Sequence, residues 1–368
     1  MRKKTIISIM PHLKGGGVEK VVCQLSDGLS QYDDCDVHII TIKPYESLIP
    51  ISNSVKIHHV DTTIRNSLNL RISEKSKSKL IVDYIKNNIT TSEPELILCH
   101  QDTVSKIMRH SEFNNTFHVI HSTLSHDKLS NSTGLKRLLR RNKLRSLYKG
   151  LNIICVSKGV EEDLKTNFKL TNTSVIYNAV CQQALERYAQ EPTQLPSKKY
   201  FINVGNFSRA KRQDRLVRAY LEANNIKDVD LVLLGEYSHR TNEIHDLMAQ
   251  MEGADKRIHM PGFVSNPYPW IANSSGFILS SDYEGLPTVL LESIALGTPV
   301  ISTDCNSGPR EIFGENFKHC LSEVSTSSLR DKIIELYNSP KDFTIPLREE
   351  FSLNFMSRQY YKLIKQHR

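Results

Sequence analysis

Two glutamates, Glu284 and Glu292, frame the stretch of this sequence in which chemically useful side chains are most concentrated. Gly276 to Ser280 reads as an apolar strand and Asp282 to Pro287 as the loop after it. Pro287 opens and Gly297 closes a helix over Thr288 to Leu296. The spacing E-x7-E sends both carboxylates toward the carboxyl edge of a sheet, beside a helix N-terminus whose free N–H groups favour a phosphate. A carboxylate accepts two hydrogen bonds in a fixed fork, which suits the hydroxyls of a sugar or ribose. On spacing alone, a first-turn helix acid and a solvated loop acid describe the pair equally well.

A second constellation, Gly205-Asn206-Phe207-Ser208-Arg209-Ala210-Lys211, follows another strand. The glycine permits a sharp turn, and the two cations beyond it could neutralise a diphosphate or simply be solvated. The third is Gly15-Gly16-Gly17-Val18-Glu19-Lys20, at the first strand-to-helix turn. Consecutive glycines let a backbone approach a ligand closely, but neither G-x-G-x-x-G nor G-x4-G-K-[ST] is present. Four strand ends carry polar residues, His100, His121, Ser157 and Asn178, at the edge where open parallel sheets bind ligands. Each could equally be a cap or a core polar group.

The elements that must position these residues alternate between β-branched apolar runs and helical periodicities. Thr5 to Met10, Val37 to Thr41, Leu96 to Cys99, Phe117 to Ile120, Asn152 to Val156 and Ser174 to Tyr177 read as strands separated by crossover helices. Cys181 to Lys199 loses the pattern and carries Pro192 and Pro196, which predicts a linker over 186–199 after a domain of residues 1–185. A second series over 200–345 has strands at Phe201 to Val204, Asp230 to Leu234, Ile258 to Met260, Gly276 to Ser280 and Pro299 to Ser302. Residues 346–368 form a helix predicted to cross back to the first domain. The fold class is α/β, two Rossmann-like domains with parallel sheets and a ligand expected between them.

The 368 residues suffice for two cores. Seven cysteines without a C-x-x-C pair, mostly inside apolar runs, predict reduced core thiols, a cytoplasmic setting and no structural zinc. Arg2, Lys3 and Lys4 before Ile6 to Met10 imitate a leader, but so short a run reads as a buried first strand. No run approaches the roughly 18 apolar residues that span a bilayer. The net charge of +8 is uneven: residues 1–200 hold 29 basic against 19 acidic residues, and the remainder 19 against 21. The densest basic stretch, Gly134 to Gly150, contains Lys136, Arg137, Arg140, Arg141, Lys143, Arg145 and Lys149 and no acid, with leucines on roughly opposite helical faces. It reads as a surface for anionic lipid or a phosphorylated acceptor, as a solvated helix, or as a nucleic-acid contact.

Together these residues resemble the retaining glycosyltransferases of family 4, with the GT-B architecture of two facing Rossmann-like domains. The likeness rests on Glu284-Gly285-Leu286-Pro287-Thr288-Val289-Leu290-Leu291-Glu292, Gly297-Thr298-Pro299-Val300-Ile301, Gly308-Pro309-Arg310-Glu311, Gly16-Gly17-Val18-Glu19-Lys20, Gly205 to Gln213 and Val175-Ile176-Tyr177-Asn178, and spans almost the whole chain. It implies that Glu292 binds the ribose and Glu284 the donor sugar. The amides from Gly285 through Leu286 and Thr288 to Val289, with Gly16, Gly17 and Lys211, would hold the diphosphate and stabilise its growing charge. His121 matches the histidine near the sugar's primary hydroxyl, and Phe263 and Val264 the positions that enclose the base. Family members commonly have Arg where this chain has Asn206, and Arg209, ahead of Arg212, is expected to supply the missing cation.

Asp34-Cys35-Asp36 and Asp228-Val229-Asp230 imitate a metal-binding D-x-D but read as element boundaries. The resemblance implies that cations and helix dipoles replace a metal, so neither metal nor cofactor is expected. The activity so implied is transfer of a hexose or N-acetylhexosamine from a nucleotide sugar, UDP favoured, to a lipid-linked, lipopolysaccharide or otherwise anionic glycan. The basic amino-terminal half would meet the cytoplasmic face of an inner membrane, and no nucleic acid is expected as partner. The competing readings are a sugar-nucleotide epimerase, a phosphorylase, or a non-catalytic binding module.

Overall fold

The computed structural model describes residues 2–43, 49–63, 72–226, 228–251 and 253–366. The chain forms two compact units, Met1–Ala179 joined by Leu353–Arg368, and Val180–Ser352.

Among the described residues the first unit is built on seven parallel strands: β1 (Lys4–Met10), β2 (Cys35–Thr41), β3 (Val55–His59), β4 (Leu96–His100), β5 (Thr116–Ile120), β6 (Asn152–Cys155) and β7 (Thr173–Val175). Their order is β3-β2-β1-β4-β5-β6-β7, with Ile6 opposite Val37 on one side and Leu96 on the other. Apolar runs such as Leu96–Cys99, and Ile6–Met10 with the single buried Ser8, suit strands covered on both faces, and these residues are buried. β3 was not legible as a strand, because at this sheet edge Lys56 and His59 face solvent and leave no apolar run.

The helix Gly17–Ser30 buries Val21, Val22, Leu25 and Leu29, and the carboxy-terminal helix Leu353–Gln366 packs against it. Gly28 makes that approach possible, since a Cβ there would lie 2.2 Å from Ser357 Oγ. Tyr361 stacks on Tyr32 at 4.4 Å, and its hydroxyl donates to Asp34 Oδ2 at 2.7 Å. The Lys4 ammonium beside Asp34, with the Tyr361 hydroxyl, draws that carboxyl down to about 2.

The second unit carries β8 (Lys199–Val204), β9 (Val229–Leu234), β10 (Ile258–Gly262), β11 (Gly276–Leu279), β12 (Val300–Thr303) and β13 (Leu321–Ser322), all parallel in the order β10-β9-β8-β11-β12-β13. In both sheets the chain leaves the first strand to one side and later returns to its other side. These reversals, β1/β4 and β8/β11, are where loops part and ligand sites form in doubly wound folds.

The chain changes unit at Ala179/Val180, ahead of the expected end at residue 185. The helix Gln182–Ala189 buries Leu185 against helices Tyr268–Ala272 and Thr288–Ala295, so the segment expected as a linker begins inside a packed helix of the second unit. Val180 N–H donates to the Phe351 carbonyl at 3.0 Å, which brings the two chain ends of that unit together. The seven cysteines are free, six of them buried and Cys181 half-buried. Among the described residues no helix is long and apolar enough to cross a membrane.

Candidate active site

In the second unit the loops after β8 and β11 flank the point of reversal, and hydrogen bonds to backbone carbonyls stitch them together. Asp282 N–H donates to the Ala210 carbonyl at 2.8 Å, and Ser280 Oγ to the Lys211 carbonyl at 2.7 Å. This register brings Lys211 Nζ to 2.7 Å from Glu284 Oε1, which also accepts from Ser281 Oγ at 2.6 Å. The pair is largely shielded, with side-chain exposures of 23% for Lys211 and 11% for Glu284. A cation and a carboxylate from loops over seventy positions apart thus meet at a strand edge, as sites for charged, hydroxylated ligands require.

Glu292 lies in the helix Thr288–Ala295 and is buried. Tyr268 donates its hydroxyl to Glu292 Oε1 at 3.3 Å, and burial together with that carboxylate pushes the phenol well above its usual range. The helix begins after Pro287 with no side-chain cap, so the first-turn N–H groups of Thr288 and Val289 have no side-chain acceptor there. Ser307 Oγ donates to the Gly285 carbonyl at 2.7 Å and holds the loop before it. Gly308, at φ 94°, is required next to that loop, because a Cβ would meet Pro287 Cδ at 2.5 Å.

Arg209 is exposed in the loop after β8, and Arg212, three residues on, is half-buried between two carboxylates. Its guanidinium spans Asp214 (Nε to Oδ1, 2.9 Å) and Asp282 (Nη1 to Oδ2, 3.0 Å), and Arg215 also binds Asp282. Beyond β10, Phe263 is exposed and Val264 half-buried. The exposed Tyr237 donates its hydroxyl to the Met260 carbonyl and covers Gly262, whose φ is 89°. Two aromatic faces, Tyr237 and Phe263, therefore flank the same strand edge.

In the first unit Gly16 precedes the helix Gly17–Ser30 in extended conformation, and the buried Glu19 turns back so closely that a Cβ on Gly16 would lie 2.6 Å from its Oε2. His12 Nδ1 is 3.3 Å from Glu19 Oε1. At the ends of β4 and β5, His100 Nδ1 and His121 Nε2 are 3.0 Å apart. Burial lowers His121 to about 4 and His100 well below its usual value, so both rings are neutral at pH 7 and one proton is shared along their contact. The outer nitrogens, His100 Nε2 and His121 Nδ1, have no protein hydrogen-bond partner among the described residues. Ser157 Oγ instead accepts from Val160 N–H at 3.1 Å as a helix cap.

Glu284 and Lys211 thus come together, Glu292 stands on the following helix, Gly16 and Gly17 open the first helix of the first unit, and His121 follows the end of β5. Sequence reasoning did not find Tyr268, Ser281, Tyr237 or His12, nor the contact of His100 with His121. Only His12, two residues beyond β1, carried a local signal. The imitation D-x-D carboxylates all have protein partners: Asp34 with Lys4, Asp36 with Lys56, Asp228 with Tyr337 and Asp230 with His259.

Residues 15–183 match the model of Glycosyltransferase Family 4, and residues 186–354 that of Glycosyl transferases group 1. The chain belongs to glycosyltransferase family 4. This family 4 glycosyltransferase is 28% identical over 322 residues to a Campylobacter jejuni N-acetylgalactosamine-N,N'-diacetylbacillosaminyl-diphospho-undecaprenol 4-alpha-N-acetylgalactosaminyltransferase, covering 86% of this chain and 85% of the relative. In fold it is similar to a sucrose-phosphate synthase of Thermosynechococcus elongatus, with a TM-score of 0.75, 18% identity and 99% of each chain covered. An Anabaena protein solved in complex with UDP-glucose gives a TM-score of 0.73 at 14% identity, covering 99% of this chain and all of that one. The fold is of the GT-B type.

Proposed function

We propose that this glycosyltransferase moves a hexose or N-acetylhexosamine from a nucleotide-diphosphate sugar, UDP favoured, to a hydroxyl of a lipid-linked or lipopolysaccharide-type glycan with retention of configuration. The observation that carries the reading is the shielded Lys211–Glu284 pair beside the uncapped helix that bears the buried Glu292. Glu292, oriented by the Tyr268 hydroxyl, accepts from the ribose hydroxyls, and Glu284 accepts from hydroxyls of the sugar near its reacting carbon. Lys211 and the amides of Gly285, Leu286, Thr288 and Val289 receive the diphosphate, with Arg209 as the additional cation. Phe263 and Val264 enclose the base. In the first unit Gly16 and Gly17 offer amides to the diphosphate, and His121 offers its outer nitrogen to the sugar's primary hydroxyl.

As the bond from the anomeric carbon to the phosphate oxygen breaks, negative charge gathers on the diphosphate, where Lys211 and the amides stabilise it most. The acceptor oxygen bonds to the anomeric carbon on the same face and its proton passes to the departing phosphate. Cations and oriented amides do the work a metal does elsewhere, so transfer proceeds without one. A lipid-diphosphate acceptor suits the basic amino-terminal half, and it matches what the name of the Campylobacter relative says of that protein. The same half would rest on an anionic membrane face.

A thermal-shift panel of UDP, GDP, ADP, CMP and NAD on the wild type and Glu292→Ala tests the reading. One nucleotide diphosphate is expected to raise the midpoint, and less so in the variant. No shift with any of the five overturns it.

A further inference from the structure

The helix Gly134–Tyr148 presents two apolar faces with different fates. Leu144, Leu147 and Tyr148, spaced i, i+3, i+4, face the helix's own unit, where Leu147 and Tyr148 are buried and the Tyr148 hydroxyl donates to Asp102 Oδ1 at 2.7 Å. Arg137 and Arg140 lie toward the same side and are tied down, Arg137 to the Leu129 carbonyl at 3.0 Å and Arg140 to Ser132 Oγ at 2.7 Å. The opposite face carries Leu135, Leu138 and Leu139, which are 71%, 41% and 61% exposed. Lys136 and Lys143 line up beside Leu139, and Arg141 and Arg145 beside Leu138, so cations rim the leucines on both sides. Every residue from Thr133 to Lys143 is exposed, and the helix contains no acid.

We infer that this face is the element that docks the protein on an anionic phospholipid bilayer, which deepens and rests on the membrane contact proposed above. The three leucines enter the boundary between headgroups and acyl chains, and Lys136, Lys143, Arg141 and Arg145 meet the headgroup phosphates. An apolar ridge between two rows of cations fits an interface that is itself apolar below and anionic above. A nucleic-acid backbone complements the cations and leaves the leucines without a partner.

Co-sedimentation with phosphatidylcholine vesicles, with and without phosphatidylglycerol, tests the assignment in the full chain. Two variants are compared, Leu135→Gln/Leu138→Gln/Leu139→Gln and Lys136→Gln/Arg141→Gln/Lys143→Gln. All six side chains are exposed, so both variants keep the thermal midpoint and the nucleotide-induced shift of the wild type. The wild type binds only vesicles containing phosphatidylglycerol. At about fivefold for each cation, the charge variant binds roughly a hundredfold more weakly. The leucine variant loses at least about tenfold, and what remains is abolished by salt. No binding by the wild type, no loss in either variant, binding restricted to vesicles doped with a polyprenyl diphosphate, or displacement by an oligonucleotide each overturns the assignment. The donor reading fails separately, by absence of any nucleotide-induced shift, and leaves the vesicle result standing.

Discussion

Lys211 gives the sharpest test of the proposed chemistry. Its ammonium lies 2.7 Å from Glu284 Oε1, and both side chains are mostly out of water. A unit charge about 4 Å from a developing phosphate charge is worth about 4 kcal/mol at the effective dielectric of such a site. Glu284 offsets part of that field, leaving about 3 kcal/mol, or a factor of about a hundred in rate. Lys211→Met is therefore expected to slow single-turnover release of the nucleotide diphosphate from saturating donor about a hundredfold, with Lys211→Arg recovering part. If Lys211 served only to neutralise Glu284, Lys211→Met/Glu284→Gln would be no slower than Glu284→Gln alone. Action on the diphosphate makes the double variant slower than Glu284→Gln by at least about tenfold. Thermal midpoints establish that each variant is folded. A loss below tenfold in Lys211→Met, or a double variant as fast as Glu284→Gln, refutes the reasoning.

Tyr268→Phe removes one hydrogen bond to a buried carboxylate, so nucleotide affinity measured by calorimetry falls about fivefold, and Glu292→Ala lowers it further. In the interior of its helix, Gly28→Ala gains up to about 1 kcal/mol of helix propensity but drives a methyl into Ser357 and Leu353, for a net loss of about 1–2 kcal/mol in urea unfolding. Ser357→Ala clears the contact and removes an orphaned buried hydroxyl, so the double variant regains that loss. His118 and His121 are lowered by burial to about 4, and the unfolded chain therefore takes up more protons than the folded one from about pH 6.5 down to about pH 4. Stability falls as pH drops through that window, by up to about 1.4 kcal/mol per unit for each histidine; the urea midpoint should be lower near pH 5 than near pH 7, and less so in His118→Gln. Chelator leaves transfer unchanged; loss of activity that magnesium or manganese restores contradicts the metal-independent scheme.

Strands buried on both faces announced themselves, because Leu96–Cys99 and Leu231–Leu234 are unbroken apolar runs that few other elements can use. The edge strand β3 did not, since Lys56 and His59 of Val-Lys-Ile-His-His face solvent. The two-residue β13 leaves no periodicity to read. At the candidate site, turn glycines and the E-x7-E spacing are local and were legible. The Lys211–Glu284, Tyr268–Glu292 and His100–His121 contacts join residues between 21 and 73 positions apart, and only the sheet order decides that they meet. The leucines of Gly134–Tyr148 were legible as two faces, while which face turns inward depended on Asp102 and the helices packed beside it.

The second unit interrupts the first, and its two chain ends lie together at Val180 and Ser352. Synthesis therefore delivers the whole of residues 180–352 before it delivers the helix that covers Gly17–Ser30. At ribosomal speeds of roughly 5 to 20 residues per second, synthesis of the inserted unit alone keeps that face bare for roughly 10 to 35 seconds. The inserted unit can close during this interval, while the amino-terminal unit, begun first, is completed last. Truncations and tags at the carboxyl terminus consequently act on the stability of the amino-terminal sheet, far from them in sequence, and a ribosome stalled short of Leu353 leaves an exposed apolar surface for chaperones to hold.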